Sequence, residues 1–211
     1  VDDTNLYCIE DVNGRKLHYH FTPASIISNF IPLVVVLHSE KTTDALHFEY
    51  KMWNVLTPLD DFKNEDGVSC WLGKEGDFGL QELLQKLIKK IAQEHECEDH
   101  IYMYGSFMGG YAAILHGMLC NANAVYAYAP YIRLEDKGGA HSDLTSLLNP
   151  AGHFPIFYLC NAGDGNSHDE TTYFEEACKK YNIRVKRDFC PEVKEGEAYC
   201  LKKVLDMFER E

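Results

Sequence analysis

The sequence predicts an α/β domain: a mostly parallel sheet with helices on both faces and an antiparallel hairpin at its N-terminal edge. Three observations carry that expectation. Short, continuously apolar runs alternate with helix-length segments along the chain, the pattern of parallel strands buried on both faces. Asn13-Gly14 sits between two strand-like runs near the start, and this dipeptide favours the type I′ turn of a hairpin. In the middle, an apolar run enters Gly105-Ser106-Phe107-Met108-Gly109-Gly110, and an Ala-rich helical stretch follows. With 211 residues, 45% hydrophobic and 25% charged, one domain over 1–211 can bury a single large core.

The elements follow in order. Residues 6–10 and 16–21 form the hairpin. Residues 32–38 are almost pure Val and Leu, a buried strand. A short strand over 53–56 leads into a polar loop, 60–76. From 78 to 95, Leu80, Leu83, Leu84, Leu87, Ile88 and Ile91 recur at spacings of three and four, which writes one face of an amphipathic helix. A strand over 101–105 and a helix over 110–120 come next, then a strand over 124–129 stopped by Pro130. The long loop 131–155 is where a lid or a site wall would lie. Strand 156–161, helix 169–181, strand 183–189 and helix 195–210 complete the alternation. Ser167 followed by Glu170 reads as a capping box for the third helix.

The central turn is the most specific feature. In a nucleophile elbow, G-x-S-x-G places a serine on a tight turn between strand and helix. The framing glycines here are Gly105 and Gly109, and the residue between them is Phe107. A phenyl ring cannot attack a carbonyl. Ser106 lies one residue early, and a frame centred on it would need glycine at Tyr104 and Met108, where a Cβ would obstruct the close approach of strand and helix.

A net charge of −13 argues against a nucleic-acid partner, because phosphate neutralisation needs clustered Lys and Arg. Lys89, Lys90, Lys179, Lys180, Lys202 and Lys203 form pairs on predicted helices and read as solvated faces. No apolar run reaches the ~18 residues of a membrane span. The chain opens on Val1, so it is expected to be trimmed, processed or cut from a longer protein, and a leader peptide gives no guide to location. Eight cysteines occur without a C-x-x-C pair. They read as free thiols used as small hydrophobes, which predicts a reducing, cytoplasmic setting.

The hairpin, the loop after strand 32–38, the elbow and the two terminal strand–helix units together resemble a small α/β-hydrolase. Trp71-Leu72-Gly73, then Gly76-Asp77-Phe78 opening a helix, then Tyr104-Gly105-Ser106 and Met108-Gly109-Gly110-Tyr111-Ala112-Ala113-Ile114-Leu115 narrow the likeness. They are similar to bacterial hydrolase-like proteins of the accessory-secretion and capsule-biosynthesis kind. That group is associated with acyl transfer to, or removal from, surface glycans, and the resemblance covers most of the chain.

The resemblance implies a triad in the order nucleophile, acid, histidine. Its nucleophile position is Phe107. Its acid position falls after strand 156–161, where Asp164 fits and Asp169 is the second choice. Its histidine position falls after strand 183–189, yet His168 is the last histidine of the chain. If Gly196 marks the usual Gly-His pair, Glu197 stands where the base belongs. A carboxylate titrating near ~4.3 is a poor substitute for a base that works near neutrality. An oxyanion-type site would use backbone N–H groups of the loop after strand 32–38 and of the elbow, so His38, Ser39 and Met108 are its candidates.

Other groups have plainer readings. His18 and His20 share one side of a strand as a metal pair would, but no third ligand accompanies them, and a half-exposed edge strand explains them. His38 reads as a loop anchor. His141 and His153, in the long loop, offer a route to a base from above, and His168-Asp169 offers one beside the acid position. Tyr111, Tyr128 and Tyr131 lie around the site end of the sheet, where aromatics line a sugar or acyl crevice or simply fill the core.

Two functions follow. The first is a non-catalytic hydrolase-like domain with a binding or accessory role in surface-glycan (polysaccharide) biosynthesis, taking a small-molecule, acyl or glycan ligand or a protein partner, with no cofactor. The second is an esterase or acyltransferase that uses a displaced nucleophile such as Ser106, with Asp164.

Overall fold

In the computed structural model, residues 6–38, 49–59, 71–72, 78–135, 139–187 and 197–210 are described, with residues 197–199 described by backbone alone. β1 (Leu6–Glu10) and β2 (Lys16–Thr22) pair antiparallel as expected, but residues 11–15 connect them in place of a two-residue type I′ turn: Gly14 takes φ +76° while Asn13 has no positive φ, and the Gly14 N–H donates to the Asp11 carbonyl at 3.1 Å. Next come β3 (Leu33–Leu37), β4 (Asn54–Leu59), α1 (Gly79–Glu94), β5 (Ile101–Ser106), α2 (Met108–Leu119) and β6 (Ala124–Tyr128). Short 3-10 turns Gly139–His141 and Leu144–Leu147 interrupt the long loop, and β7 (Ile156–Cys160), α3 (Gly165–Lys179), β8 (Val185–Arg187) and α4 (Glu197–Phe208) finish the chain.

Among the described residues the sheet has eight strands in the order β1-β2-β4-β3-β5-β6-β7-β8. β4, β3, β5, β6, β7 and β8 are mutually parallel, and β2 joins β4 antiparallel. The order doubles back at β3 and then runs outward through β5, so the carboxyl ends of β3, β5 and β6 meet at one end of the sheet, where open α/β sheets bind ligands.

Two cores separate the faces. Val35, Met103, Val125 and Phe157 pack with α1, α2 and α3 on one side. Val34, Val36, Tyr104, Tyr126 and Tyr158 pack with Cys200, Leu201, Val204, Leu205 and Phe208 of α4 on the other. The period-two alternation along each strand produces this division. α2 is buried at every position from Met108 to Met118, which is why its sequence is apolar all round rather than striped. α1 buries the leucine and isoleucine face its spacing predicts. The six paired lysines are all exposed. No described helix is long and apolar enough to cross a membrane.

Three further expectations need correction. α3 starts at Gly165, one turn before its apolar pattern begins, because Asp164 is the cap: its carboxylate accepts from the Ser167 N–H at 2.7 Å. Ser167 is therefore inside the first turn, where its hydroxyl accepts from the Ala162 N–H at 3.0 Å. β8 spans three residues, and 188–189 of its expected length lie outside the described residues. The cysteines are not all free thiols. Cys160 is disulfide-bonded, while Cys8, Cys97, Cys120, Cys178 and Cys200 are free, so its partner lies outside the described residues. Cys97 and Cys178 do behave as small hydrophobes, with burial pushing their thiols up to about 11 and about 12.

Candidate functional site

The turn between β5 and α2 has the geometry of an elbow. Phe107 takes φ +53° and ψ −116°, a backbone conformation costly for any residue with a side chain. Its neighbours hold it there. The Phe107 N–H donates to the Tyr128 carbonyl at 2.9 Å, and the Phe107 carbonyl accepts from the Tyr111 N–H at 3.0 Å and the Tyr131 N–H at 3.4 Å. The glycines are there for space: a Cβ on Gly105 would lie 2.0 Å from the Gly109 carbonyl oxygen, and one on Gly109 would lie 2.2 Å from the Leu37 carbonyl oxygen. The phenyl ring meets Tyr128 edge to face at 5.7 Å and stays 44% exposed.

Ser106 is the last residue of β5 and half-buried. Strand alternation puts it on the α4 face with Tyr102 and Tyr104, one residue away from the crown of the turn. Met108, buried, opens α2, so its N–H is one of the unpaired first-turn donors of a helix. His38 is buried just past β3. Its carbonyl accepts from the Trp71 indole N–H at 3.0 Å, and its ring packs edge-on against Trp71 at 5.0 Å, which is the loop-anchoring role. Ser39 lies outside the described residues.

Asp164 and Phe107 come together. Both line a crevice of about 80 Å³ with Pro130, Tyr131, Ser167 and Glu170. The backbone hydrogen bond from Ser167 holds the Asp164 carboxyl below the usual carboxylate range. Glu197 begins α4. Phe208, at the other end of that helix, packs on Trp53 and Tyr102 at the amino ends of β4 and β5, which puts the Glu197 backbone at the elbow end of the sheet. Its side chain is outside the described residues.

Glu170 is a site residue whose role the sequence conceals. Only 7% exposed, it accepts from the Ile132 N–H at 3.0 Å, the Arg133 N–H at 3.1 Å and Arg133 Nε at 2.9 Å, and pairs with Arg133 Nη2 as well. Arg133 also stacks 4.3 Å over the Tyr173 ring, and Tyr173 donates to Asp143 Oδ2 at 2.6 Å. The first part of the long loop is thereby strapped onto α3. Its capping role from sequence gives way to this one.

None of the described histidines lines the crevice, and His141 Nδ1 is buried with no hydrogen-bond partner among the described residues. The His141 carbonyl accepts from the Tyr111 hydroxyl at 2.7 Å and its ring meets Phe78 edge-on; it does not line the crevice. His153 is exposed. His168 is exposed on α3, its Nδ1 3.3 Å from Arg187 Nη2. Among the described residues no group of three or more His, Cys, Asp and Glu is placed to hold a metal ion, around His18 and His20 or elsewhere. His116, fully buried in α2, sits 2.7 Å from Gln85 Nε2 through Nδ1 and 3.3 Å from the Trp71 carbonyl through Nε2. Burial pushes it down to about 4, so the neutral ring that donates from Nε2 and accepts at Nδ1 satisfies both neighbours. It links α1 and α2 to Trp71 and so to His38.

No family model matches the chain. A sequence comparison with curated proteins finds no match. Solved structures do match in shape. The capsule O-acetyltransferase of Neisseria meningitidis serogroup A is 16% identical, with a TM-score of 0.68 over 98% of this chain and 95% of that one. A dipeptidyl peptidase 4 of Porphyromonas gingivalis gives 0.69 at 15% identity, over 96% of this chain and 34% of that one. A thermostable esterase gives 0.66 at 15% identity, over 99% and 63%. The chain thus spans a third of the peptidase and nearly all of the acetyltransferase. At these identities the likeness establishes the fold, and that fold is α/β-hydrolase-like, as the sequence motifs lead one to expect.

Proposed function

We propose that the chain is a non-catalytic hydrolase-like domain that binds a small ligand or a protein partner at the elbow end of its sheet, in an accessory role in surface-glycan biosynthesis. One observation carries the reading: the elbow keeps its strained backbone and both glycines, while its crown holds the Phe107 ring. Triad chemistry needs a nucleophile there and a base to take its proton, and among the described residues no histidine lines the crevice. The full-length likeness to a capsule O-acetyltransferase supports the glycan setting, and that enzyme, in a variant form, binds CoA, which supports a small-molecule ligand. The Cys160 disulfide favours an oxidising compartment over the cytoplasmic one expected from the cysteine spacing.

The enzymatic likeness of the neighbours favours a second reading, acyl transfer or ester hydrolysis through Ser106 with Asp164. Its weakness is that Ser106 faces the α4 side of the sheet. Labelling with a fluorophosphonate probe and turnover of p-nitrophenyl acetate decide between the two. The wild type is expected to show neither. Phe107→Ser alone stays inactive for want of a base, and Phe107→Ser with Glu197→His gains weak turnover. Wild-type turnover that Ser106→Ala abolishes and Phe107→Ala spares would overturn the non-catalytic reading.

A further inference from the structure

The crevice beside Phe107 has a chemical character that the non-catalytic reading leaves unspecified. Phe107 and Tyr131 are 44% and 41% exposed, and both residues line it. Their backbones are tied by the bond from the Tyr131 N–H to the Phe107 carbonyl, so the two are fixed neighbours. Two acidic residues are among the lining, and they differ. The charge of Glu170 is answered by Arg133. Asp164 is exposed and forms no ion pair among the described residues, and no Lys, Arg or His is among the described lining residues.

Aromatic faces attract cations through the ring quadrupole, and an unanswered carboxylate attracts them through its charge. An anion would meet Asp164 with no cationic side chain among the described lining residues. The volume, about 80 Å³, is well below the ~300 Å³ at which ordinary small-molecule pockets begin and suits a head group of few heavy atoms. Resting on the non-catalytic reading, we infer that this crevice takes a small organic ammonium group, methylated or protonated, between the Phe107 and Tyr131 rings and the Asp164 carboxylate. Asp164, held below the usual range by its backbone hydrogen bond, stays ionised for that role through neutral pH.

Isothermal titration calorimetry on the intact protein at constant ionic strength tests this, with choline and its neutral isostere in which carbon replaces nitrogen. Choline is expected to bind about tenfold more tightly than the isostere. Asp164→Asn removes the charge and keeps the helix cap, since Asn caps as well as Asp; it should cost choline about tenfold and leave the isostere unchanged. Phe107→Leu keeps the bulk and loses the quadrupole, and should weaken choline about fivefold. Equal binding of choline and isostere, or no choline binding up to ~50 mM, overturns the assignment. Neither result alters esterase turnover, so this inference and the non-catalytic reading fail separately.

Discussion

Two corners face each other across the crevice, and they are built on different principles. The elbow corner is held by lack of room: bare backbone at Gly105 and Gly109 lets α2 close onto β5 and β3 with no space for a Cβ. The acid corner is held by hydrogen bonds, with Asp164 capping α3 and Glu170 gathering the backbone of Ile132 and Arg133. The first carries a phenyl ring where a nucleophile elbow would place its reacting group, on the elbow's geometry. The second has kept its carboxylates and uses both to hold structure. Steric fit gives a position no alternative arrangement, whereas a hydrogen-bonded corner gives way one bond at a time.

The contrast is sharpest in stability. Gly105→Ala drives a Cβ to 2.0 Å from the Gly109 carbonyl oxygen and is expected to cost more than about 3 kcal/mol in urea unfolding. A loss under about 1 kcal/mol would show that the elbow relaxes and that the steric account fails. Glu170→Ala leaves the Ile132 and Arg133 N–H groups without their acceptor and should cost about 2 kcal/mol, with faster hydrogen exchange at those two amides and unchanged exchange in α2. A loss larger than that of Gly105→Ala would reverse the ranking of the corners. The smallest effect is the most diagnostic. At φ +53°, Phe107→Gly should be more stable than Phe107→Ala by about 1 kcal/mol, opposite to the usual order of Ala over Gly. The ordinary order at this position would mean the turn is unstrained.

The elbow was legible because it is local: strand, glycine frame and helix lie within a dozen residues, and each glycine has a steric reason that spacing alone reveals. The same holds for the hairpin at Asn13-Gly14 and the leucine face of α1. The acid corner was half legible. The resemblance points to Asp164 by its place after a strand, but Ser167 reads as the cap, since each of the two has a polar residue three positions on. The larger apolar content of the segment after Asp169 pulled the predicted helix start late. What stayed hidden is what depends on distant chain. Glu170 holds backbone amides 37 and 38 positions away, and backbone amides have no sequence signature. His116 answers to Gln85 and Trp71, and Cys160 to a cysteine that spacing does not single out.

Because Gly105 and Gly109 answer to the carbonyls of Gly109 and Leu37, the packing of α2 requires them whether or not the residue between them reacts. Descent can therefore replace the crown of the turn and leave its frame intact. A search keyed to the glycine spacing retrieves backbones, and the side chain at the crown, here the ring of Phe107, has to be read separately from the frame that carries it.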